Sequence, residues 1–205
     1  MISYKKWVRF VKKHLKRHRK LILCLCVGIV ALLGLTRIGL NVNQSKKEQL
    51  SHEAFIQELA PTAEKMDQRY HVPASISLAQ AVLESNWGKS ELAARYNNLF
   101  GVKAALWEPH VKLETKEYEN GKWITVTASF RTYWSWEESM KDHAKLMING
   151  TDWNQKQYEK VIQAKDYRQA AYALQQAGYA TDPTYAEKLI SMIETYQLYR
   201  YDIHN

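Results

Sequence analysis

The chain has 205 residues, of which 46% are hydrophobic and 24% are charged, with only 8 Gly and 4 Pro. This balance is typical of a globular protein and argues against collagen-like, low-complexity and repeat architectures. The formal net charge is +8, but residues 1–47 hold 12 Lys and Arg and no acidic residue, which leaves 17 basic and 21 acidic residues in the rest of the chain. The larger part is therefore net acidic, and this excludes a nucleic-acid-binding domain.

The N-terminal segment combines a basic stretch with an apolar run. Nine Lys and Arg between positions 5 and 20 precede 15 consecutive apolar or Gly residues, Leu21 to Leu35. Extended to Leu40, the run reaches about 20 residues, which is enough to cross a bilayer. The charge asymmetry predicts one transmembrane anchor at 21–40, a cytoplasmic basic segment at 1–20 and an extracytoplasmic remainder at the cell membrane. A cleaved signal peptide, giving a secreted protein, is the alternative, although no A-x-A-like site follows the run.

The part predicted to lie outside contains no cysteine, since Cys24 and Cys26 both fall in the apolar run. Disulfides and a thiol nucleophile are therefore excluded there. Residues 41–50 are polar and predict a linker, so we place the folded domain at 51–205. Ser51 is the expected N-cap of a first helix that ends near Tyr70.

The domain pattern is mainly helical. Pro73 opens a second, buried helix that stops before Gly88, and a short helix covers about Ser90 to Arg95. Asn120-Gly121 predicts a β-hairpin between Val111–Tyr118 and Lys122–Phe130. Three further helices are predicted: one from the capping box Ser135-x-x-Glu138 to about Ile148, one from Asp166 to Gly178, and one that starts at Asp182-Pro183.

Glu84 is the first candidate for chemistry. It follows Val82-Leu83 on the last turn of an apolar helix and precedes Trp87 by three positions. Burial of a carboxyl beside such groups raises its pKa and favours a proton donor. A solvent-facing Glu near a helix end is the alternative. The histidines do not cluster at metal-ligand spacing, so we predict no metal site.

The hairpin supplies a second carboxylate. With Asn120-Gly121 as the loop, Glu117 lies opposite Ile124 and shares a face with Val126, whereas Glu114 shares the face of the Tyr118–Trp123 pair. Alternatively, Glu117 is a charged side chain on a solvent-exposed hairpin and has no catalytic role. Aromatic rings stack on sugars, and the tryptophans that surround the loop and hairpin suit a glycan-binding groove as well as a core: Trp87, Trp107, Trp123, Trp134 and Trp136.

Five segments resemble the glucosaminidase domains of glycoside hydrolase family 73. They are SLAQAVLESNWGKS (77–90), NNLFGVK (97–103), TKEYENGKW (115–123), FRTY (130–133) and GYATDPTYA (178–186). Ala104-Ala105 after Lys103 departs from the family pattern, where a Gly is common, and should affect only a loop.

The resemblance implies a lysozyme-like α+β domain, mainly α with a small β-hairpin lobe, that cleaves the β-1,4 bond after N-acetylglucosamine in peptidoglycan. Glu84 then matches the general acid, Glu117 the proposed general base, with Glu114 and Glu119 as near alternatives, and Tyr179 a residue that positions substrate or water. Substrate contacts are expected from Asn98, Phe100, Trp87, Trp123, Tyr118 and Asp182, and no cofactor is expected.

Two other functions stay open at this point. A lytic transglycosylase needs a single catalytic acid and leaves an anhydro product, and a non-catalytic module would hold glycan strands without cutting them. The expected partners are peptidoglycan glycan strands and the membrane, with no nucleic acid, and other envelope proteins are left open.

Overall fold

The computed structural model describes residues 46–105, 107–119 and 122–203, with only the backbone of 116–119 and 123. The predicted anchor at 21–40 and the basic segment at 1–20 lie outside these residues. Among the helices that the structure describes, none has the length and apolar character needed to span a bilayer. Contacts divide the chain into two units, Met1–Ser51 and His52–Asn205.

The prediction of a mainly helical domain with a small two-stranded sheet is confirmed. In chain order the elements are α1 (46–70), α2 (Ala74–Ser85), α3 (Glu91–Tyr96), β1 (His110–Glu119), β2 (Lys122–Arg131), α4 (Trp136–Asn149), α5 (Glu159–Ile162), α6 (Tyr167–Gln176), α7 (Tyr185–Thr195) and a 3₁₀ turn (Leu198–Tyr201).

The expected start of α1 is wrong. Residues 46–50, assigned to the linker, are helical, and Ser51 lies inside the helix instead of capping it. The reason is local, because Lys, Glu, Gln and Leu at positions 46–50 all have high helix propensity and carry the helix through them.

Helix α2 forms the centre of the core. Ten of its twelve residues are buried, and it packs against α6, α7 and the 3₁₀ turn. Ala and Ser at many of these positions let neighbouring helices approach closely. Only Leu83 and Glu84 are not buried, so Glu84 is an exposed carboxylate at the end of an otherwise enclosed helix.

Side chains at the helix starts explain where α4 and α6 begin. The Ser135 hydroxyl accepts a hydrogen bond from Glu138 N at 3.2 Å, and the Asp166 carboxylate accepts one from Gln169 N at 2.8 Å. Both caps agree with the sequence-based expectation. Helix α7 starts at Tyr185, three residues beyond the expected Asp182, whose carboxylate accepts a bond from Thr184 N at 2.8 Å.

The two strands pair in the predicted antiparallel register, with Glu119 opposite Lys122 and Glu117 opposite Ile124. One face of the hairpin is sheltered and the other is open to solvent. The sheltered face holds Val111, Leu113, Thr115, Val126, Ala128 and Phe130, and Lys112, Glu114, Thr125 and Thr127 on the other face are exposed. By register, position 117 lies on the same face as Val126, opposite Ile124, which is exposed.

A cluster of charged groups fixes the base of the hairpin. Arg131, the last residue of β2, donates to Glu108 at 2.9 Å and to Asp142 of α4 at 2.8 Å. The Tyr133 hydroxyl also donates to Asp142, at 2.7 Å. These bonds connect the end of β2 both to α4 and to the segment that precedes β1.

The C-terminal segment caps α2 from a distance of 127 residues in sequence. Pro73 at the N-cap position makes no side-chain hydrogen bond, and the Asp202 carboxylate instead accepts bonds from the backbone N–H and the hydroxyl of Ser75, both at 2.7 Å. The next residue, Ile203, donates its N–H to Asp67 at 2.9 Å. These bonds attach residues 202–203 to both α1 and α2.

We expect Asp202→Ala to lower the free energy of unfolding by about 1–3 kcal/mol, because it leaves the Ser75 N–H without its acceptor. Urea denaturation is the measurement, with Asp152→Ala, a change at an exposed loop residue, as the matched control. Equal midpoints for the two variants would contradict the capping role.

Candidate active site

The turn that follows Glu84 is tightly fixed. Asn86, Trp87 and Gly88 have φ values of 50°, 61° and 71°, so three successive residues are left-handed. The Ser85 hydroxyl accepts a bond from Gly88 N at 2.7 Å. A Cβ at Gly88 would lie 2.7 Å from the Phe55 ring and 2.9 Å from the Trp136 ring. Glycine is therefore required here, and the turn holds the C-terminal end of α2 in place.

A chain of hydrogen bonds connects Glu84 to α7. The Tyr185 hydroxyl donates to Glu84 Oε1 at 2.9 Å, and the Gln80 side-chain amide donates to the same hydroxyl oxygen at 3.1 Å. Gln80 and Glu84 are one helical turn apart on α2, and Tyr185 begins α7. Since Oε1 is held by this bond, Oε2 is the oxygen that can face a ligand.

The environment of Glu84 shifts its acidity. Desolvation by the surrounding protein raises the pKa of the carboxyl, and the hydrogen bond from Tyr185 opposes this shift in part. The side chain is nevertheless exposed along one side. The carboxyl thus combines access for a substrate with an increased tendency to hold its proton near neutral pH.

Aromatic side chains line the interior side of Glu84. The Tyr179 ring stacks on Tyr185 with centroids 5.7 Å apart and contacts the edges of Tyr158 and His143 at 6.0 Å each. Burial and the nearby Glu84 charge raise the pKa of both Tyr179 and Tyr185. Both tyrosines therefore stay neutral, and Tyr185 keeps its proton to donate.

His143 lies beneath this cluster. It is 1% exposed and stacks on Phe100 at 4.0 Å, and its ring nitrogens have no hydrogen-bond partner among the described residues. Burial lowers the pKa of His143 to about 3, so the ring is neutral and acts as a packing group.

Two glutamines hold the backbone that carries the tyrosines. Gln157 donates to Ala177 O at 2.8 Å, and Gln175 accepts from Ala186 N at 2.9 Å. Sequence reasoning did not find Gln80, Tyr185 or these glutamines. Gln80 could have been found, because it is a polar residue one turn before Glu84 on an apolar helix. Tyr185 could not, because no local sequence pattern pairs it with Glu84.

Asn98 and Phe100 belong to the support of the site. Asn98 is 1% exposed, and its amide donates to Val102 O at 3.0 Å and Arg131 O at 2.9 Å while its oxygen accepts from Val102 N at 3.1 Å. Phe100 is buried against His143. Both residues position the loop, and the substrate contact expected of them from the sequence stays a prediction.

Trp87 is also occupied by packing. Its ring stacks on His52 with centroids 3.6 Å apart and meets the edges of Phe55 at 6.1 Å and Tyr196 at 4.9 Å. His52 covers one face of the Trp87 ring, which joins α1 to the turn after α2, and the substrate contact expected of Trp87 stays a prediction.

The remaining predicted residues fall in two places. Glu117, Tyr118 and Trp123 lie towards the hairpin tip, where Tyr118 is paired with Trp123 in the register. Asp182 lies before α7, where it bonds Thr184 and forms an ion pair with Lys188. Within the described part of the chain, no three His, Cys, Asp or Glu side chains come together as a metal site would require.

Comparison with known proteins agrees with this geometry. The family model described as "Glucosaminidase: Mannosyl-glycoprotein endo-beta-N-acetylglucosaminidase" matches residues 60–198. The exo-glucosaminidase LytG of Bacillus subtilis is 48% identical over 163 residues, covering 80% of this chain and 58% of LytG. A probable N-acetylmuramidase of Lactococcus lactis is 40% identical over 154 residues, 74% of this chain and 35% of the relative.

Among solved structures, the catalytic domain of the autolysin Auto from Listeria monocytogenes has a TM-score of 0.69 at 37% identity, covering 78% of this chain and 97% of that domain. The chain spans about a third to somewhat more than half of the two curated relatives named above. Because the family model covers well over half of the sequence and includes Glu84, Tyr179 and Tyr185, the chain belongs to the glucosaminidase family of glycoside hydrolases, family 73.

Proposed function

We propose that this protein is a peptidoglycan hydrolase that cleaves the β-1,4 bond between N-acetylglucosamine and N-acetylmuramic acid, with Glu84 as the general acid. The observation that carries the proposal is the exposed Glu84 carboxyl on a buried helix, bonded through one oxygen to Tyr185 and with a raised pKa. Such a group is suited to protonating a glycosidic oxygen near neutral pH.

The Tyr185 hydrogen bond serves the proton transfer. When Glu84 gives its proton to the leaving oxygen, it becomes a carboxylate that is exposed on one side and bonded to Tyr185 on the other. The hydroxyl of Tyr185 stabilises that charge at Oε1 and is itself fixed by Gln80. Desolvation raises the pKa of Glu84 and the hydrogen bond from Tyr185 lowers it, so the two influences on the acid oppose each other.

Glu117 is the proposed second carboxylate. Glycoside cleavage passes through an oxocarbenium-like transition state that a second carboxylate stabilises, either directly or through an activated water. Support for position 117 over position 114 comes from the register, since 117 shares a face with Val126 and Phe130, whereas Glu114 is exposed on the other face. Tyr179 is proposed to position substrate or water, and Tyr118, Trp123 and Asp182 are proposed to contact the glycan.

We further propose that residues 21–40 anchor the enzyme in the cell membrane with its N-terminus in the cytoplasm and the hydrolase domain outside. Support comes from the basic residues before the apolar run and the net acidic remainder. Tethering raises the effective concentration of the enzyme at nearby wall without a separate wall-binding module.

Mass spectrometry of borohydride-reduced products from purified peptidoglycan tests the proposed bond, using the 205-residue chain. Reducing N-acetylglucosamine ends are expected. Reducing N-acetylmuramic acid ends would indicate N-acetylmuramidase activity, which the name of the Lactococcus lactis relative states. Anhydro-muramyl ends would indicate a lytic transglycosylase. Disaccharide products released one at a time would indicate exo action, as the name of LytG has it.

The Glu84→Gln variant is expected to lose about 10²–10⁴-fold in kcat, since the amide has no proton to transfer. Its free energy of unfolding at pH 7 should equal or exceed that of the parent, because a folded-state pKa above the unfolded value makes the charged form a cost at higher pH. Glu187→Gln, at an exposed site on α7, is the control for both assays. Unchanged wall cleavage by Glu84→Gln would refute the assignment.

We expect Tyr185→Phe to raise the pKa of Glu84 further, because the hydroxyl that stabilises the carboxylate is removed. The alkaline limb of kcat/KM should therefore move to higher pH, and carbon-13 NMR of the Glu84 carboxyl should show the same direction. Tyr172→Phe, on the exposed surface of α6, should change neither. A shift to lower pH would contradict the hydrogen-bond role.

The Glu117→Gln variant should lower kcat by about 10²-fold or more, whereas Glu114→Gln should stay within about twofold of the parent. Steady-state hydrolysis of purified glycan strands gives both values. If the enzyme tolerates Glu117→Gln and releases anhydro products, the single-acid transglycosylase mechanism applies.

A further inference from the structure

A cavity of about 450 Å³ lies between α4 and the base of the hairpin, separate from the groups that bind Glu84. Its walls include Glu108, Arg131, Tyr133 and Trp134 from the segments around the hairpin, and Glu138, Lys141, Asp142 and Lys145 from α4. The α4 residues are spaced at i, i+3, i+4 and i+7, so they form one stripe along the helix. The cavity is thus a trough that follows α4, with a volume in the range of small-ligand sites.

Trp134 stands at one end of the trough. Its side chain is 95% exposed, although its backbone is firmly held, since Trp134 N donates to the Glu138 carboxylate at 2.8 Å and Ser135 caps α4. The open indole contributes nothing to the core and presents an apolar face to solvent.

Most charges around the trough already have protein partners. Arg131 pairs with Glu108 and Asp142, and Lys141 pairs with Glu137 at 2.7 Å. Lys145, at the far end, has no carboxylate partner among the described residues. It is an exposed ammonium group that faces the cavity without a counter-charge.

The two ends of the trough carry side chains of opposite charge. Glu138 lies near Trp134 and carries a carboxylate, and Lys145 follows it by seven residues, or about 10 Å along the helix. An extended peptide of three or four residues spans about 10–14 Å. The trough therefore suits a short peptide with a carboxylate at one end and an apolar or amino group at the other.

We propose that this trough binds the short peptide carried by the muramyl residues of peptidoglycan, with a peptide carboxylate at Lys145 and an apolar part of the stem on Trp134. The inference rests on the proposed function for its choice of substrate. Glycan alone fits the trough less well, because the charge of stem-free strands is limited to the lactyl carboxylate of each muramyl residue, which gives Glu138 no partner, whereas stem peptides carry carboxylates and, in their diamino residue, an amino group.

The location agrees with a substrate contact outside the reacting centre. Asp142 lines the trough, and the adjacent residue His143 packs under the Tyr179 cluster. The loop that holds Phe100 against His143 is itself bonded to Arg131 through Asn98. Adjacent residues of α4 therefore line the trough and support the Tyr179 cluster.

The test compares two substrates of the 205-residue chain: glycan strands that carry tetrapeptide stems, and the same strands after an amidase has removed the stems. On stem-bearing strands, Trp134→Ala and Lys145→Glu should each raise KM about five- to thirtyfold and leave kcat within twofold. On stem-free strands both variants should match the parent. Trp153→Ala and Lys165→Ala, at other exposed sites, are the matched controls.

A direct titration separates this proposal from the proposed function. The free tetrapeptide L-Ala-D-isoGlu-L-Lys-D-Ala is added to the unmodified chain and to Lys145→Glu, and backbone and indole NMR shifts are followed. Shifts at Trp134 that Lys145→Glu abolishes would support the trough even if no glycan were cleaved. Equal KM losses on both substrates would make the trough a glycan subsite, and absence of both KM changes and peptide shifts would leave it without a ligand role; either result overturns the proposal.

Discussion

The hydrogen bond from Tyr185 to Glu84 is the contact on which the site depends, because it joins two helices whose partners are 101 residues apart in sequence. Helix α2 can present Glu84 only because the rest of that helix is buried and its start is closed by Asp202 from the chain end. Helix α7 can present Tyr185 only because Gln175 fixes its first turn. The pKa of the Glu84 carboxyl therefore depends on the packing of the helices that hold Glu84 and Tyr185 in place.

Local signals predicted much of the fold. The hairpin register follows from Asn120-Gly121, and the caps at Ser135 and Asp166 act over three residues, so both were accessible from sequence. Helix α5 and the 3₁₀ turn have four residues each, too short to show a periodic pattern, and neither was predicted. The prediction that Ser51 is the N-cap of α1 was wrong, because a good N-cap residue also occurs inside helices when strong helix formers precede it.

The candidate site was less accessible for a physical reason. Glu84 stands out because a carboxylate is unusual on an apolar helix, but its partner Tyr185 is set by tertiary packing that no short-range pattern encodes. Asn98 and Trp87 show a different ambiguity, since residue type suggested contact with a sugar and the structure also gives both groups internal partners. Polar and aromatic side chains have the same chemistry in a core as in a groove, and only burial distinguishes the two uses.

The hairpin also has a mechanical consequence. Its strands pair with each other, the end of β2 also forms a bridge from Phe130 to Lys103, and ion pairs at Arg131 hold its base. Position 117 lies seven residues from the start of β1, a lever arm of about 23 Å. A pivot of about 10° at the base would carry the tip by about 4 Å, which is comparable to the difference between the carboxylate spacings of retaining and inverting glycosidases. The ion pairs at Arg131 therefore limit how far the distance between Glu84 and the proposed second carboxylate at position 117 can vary.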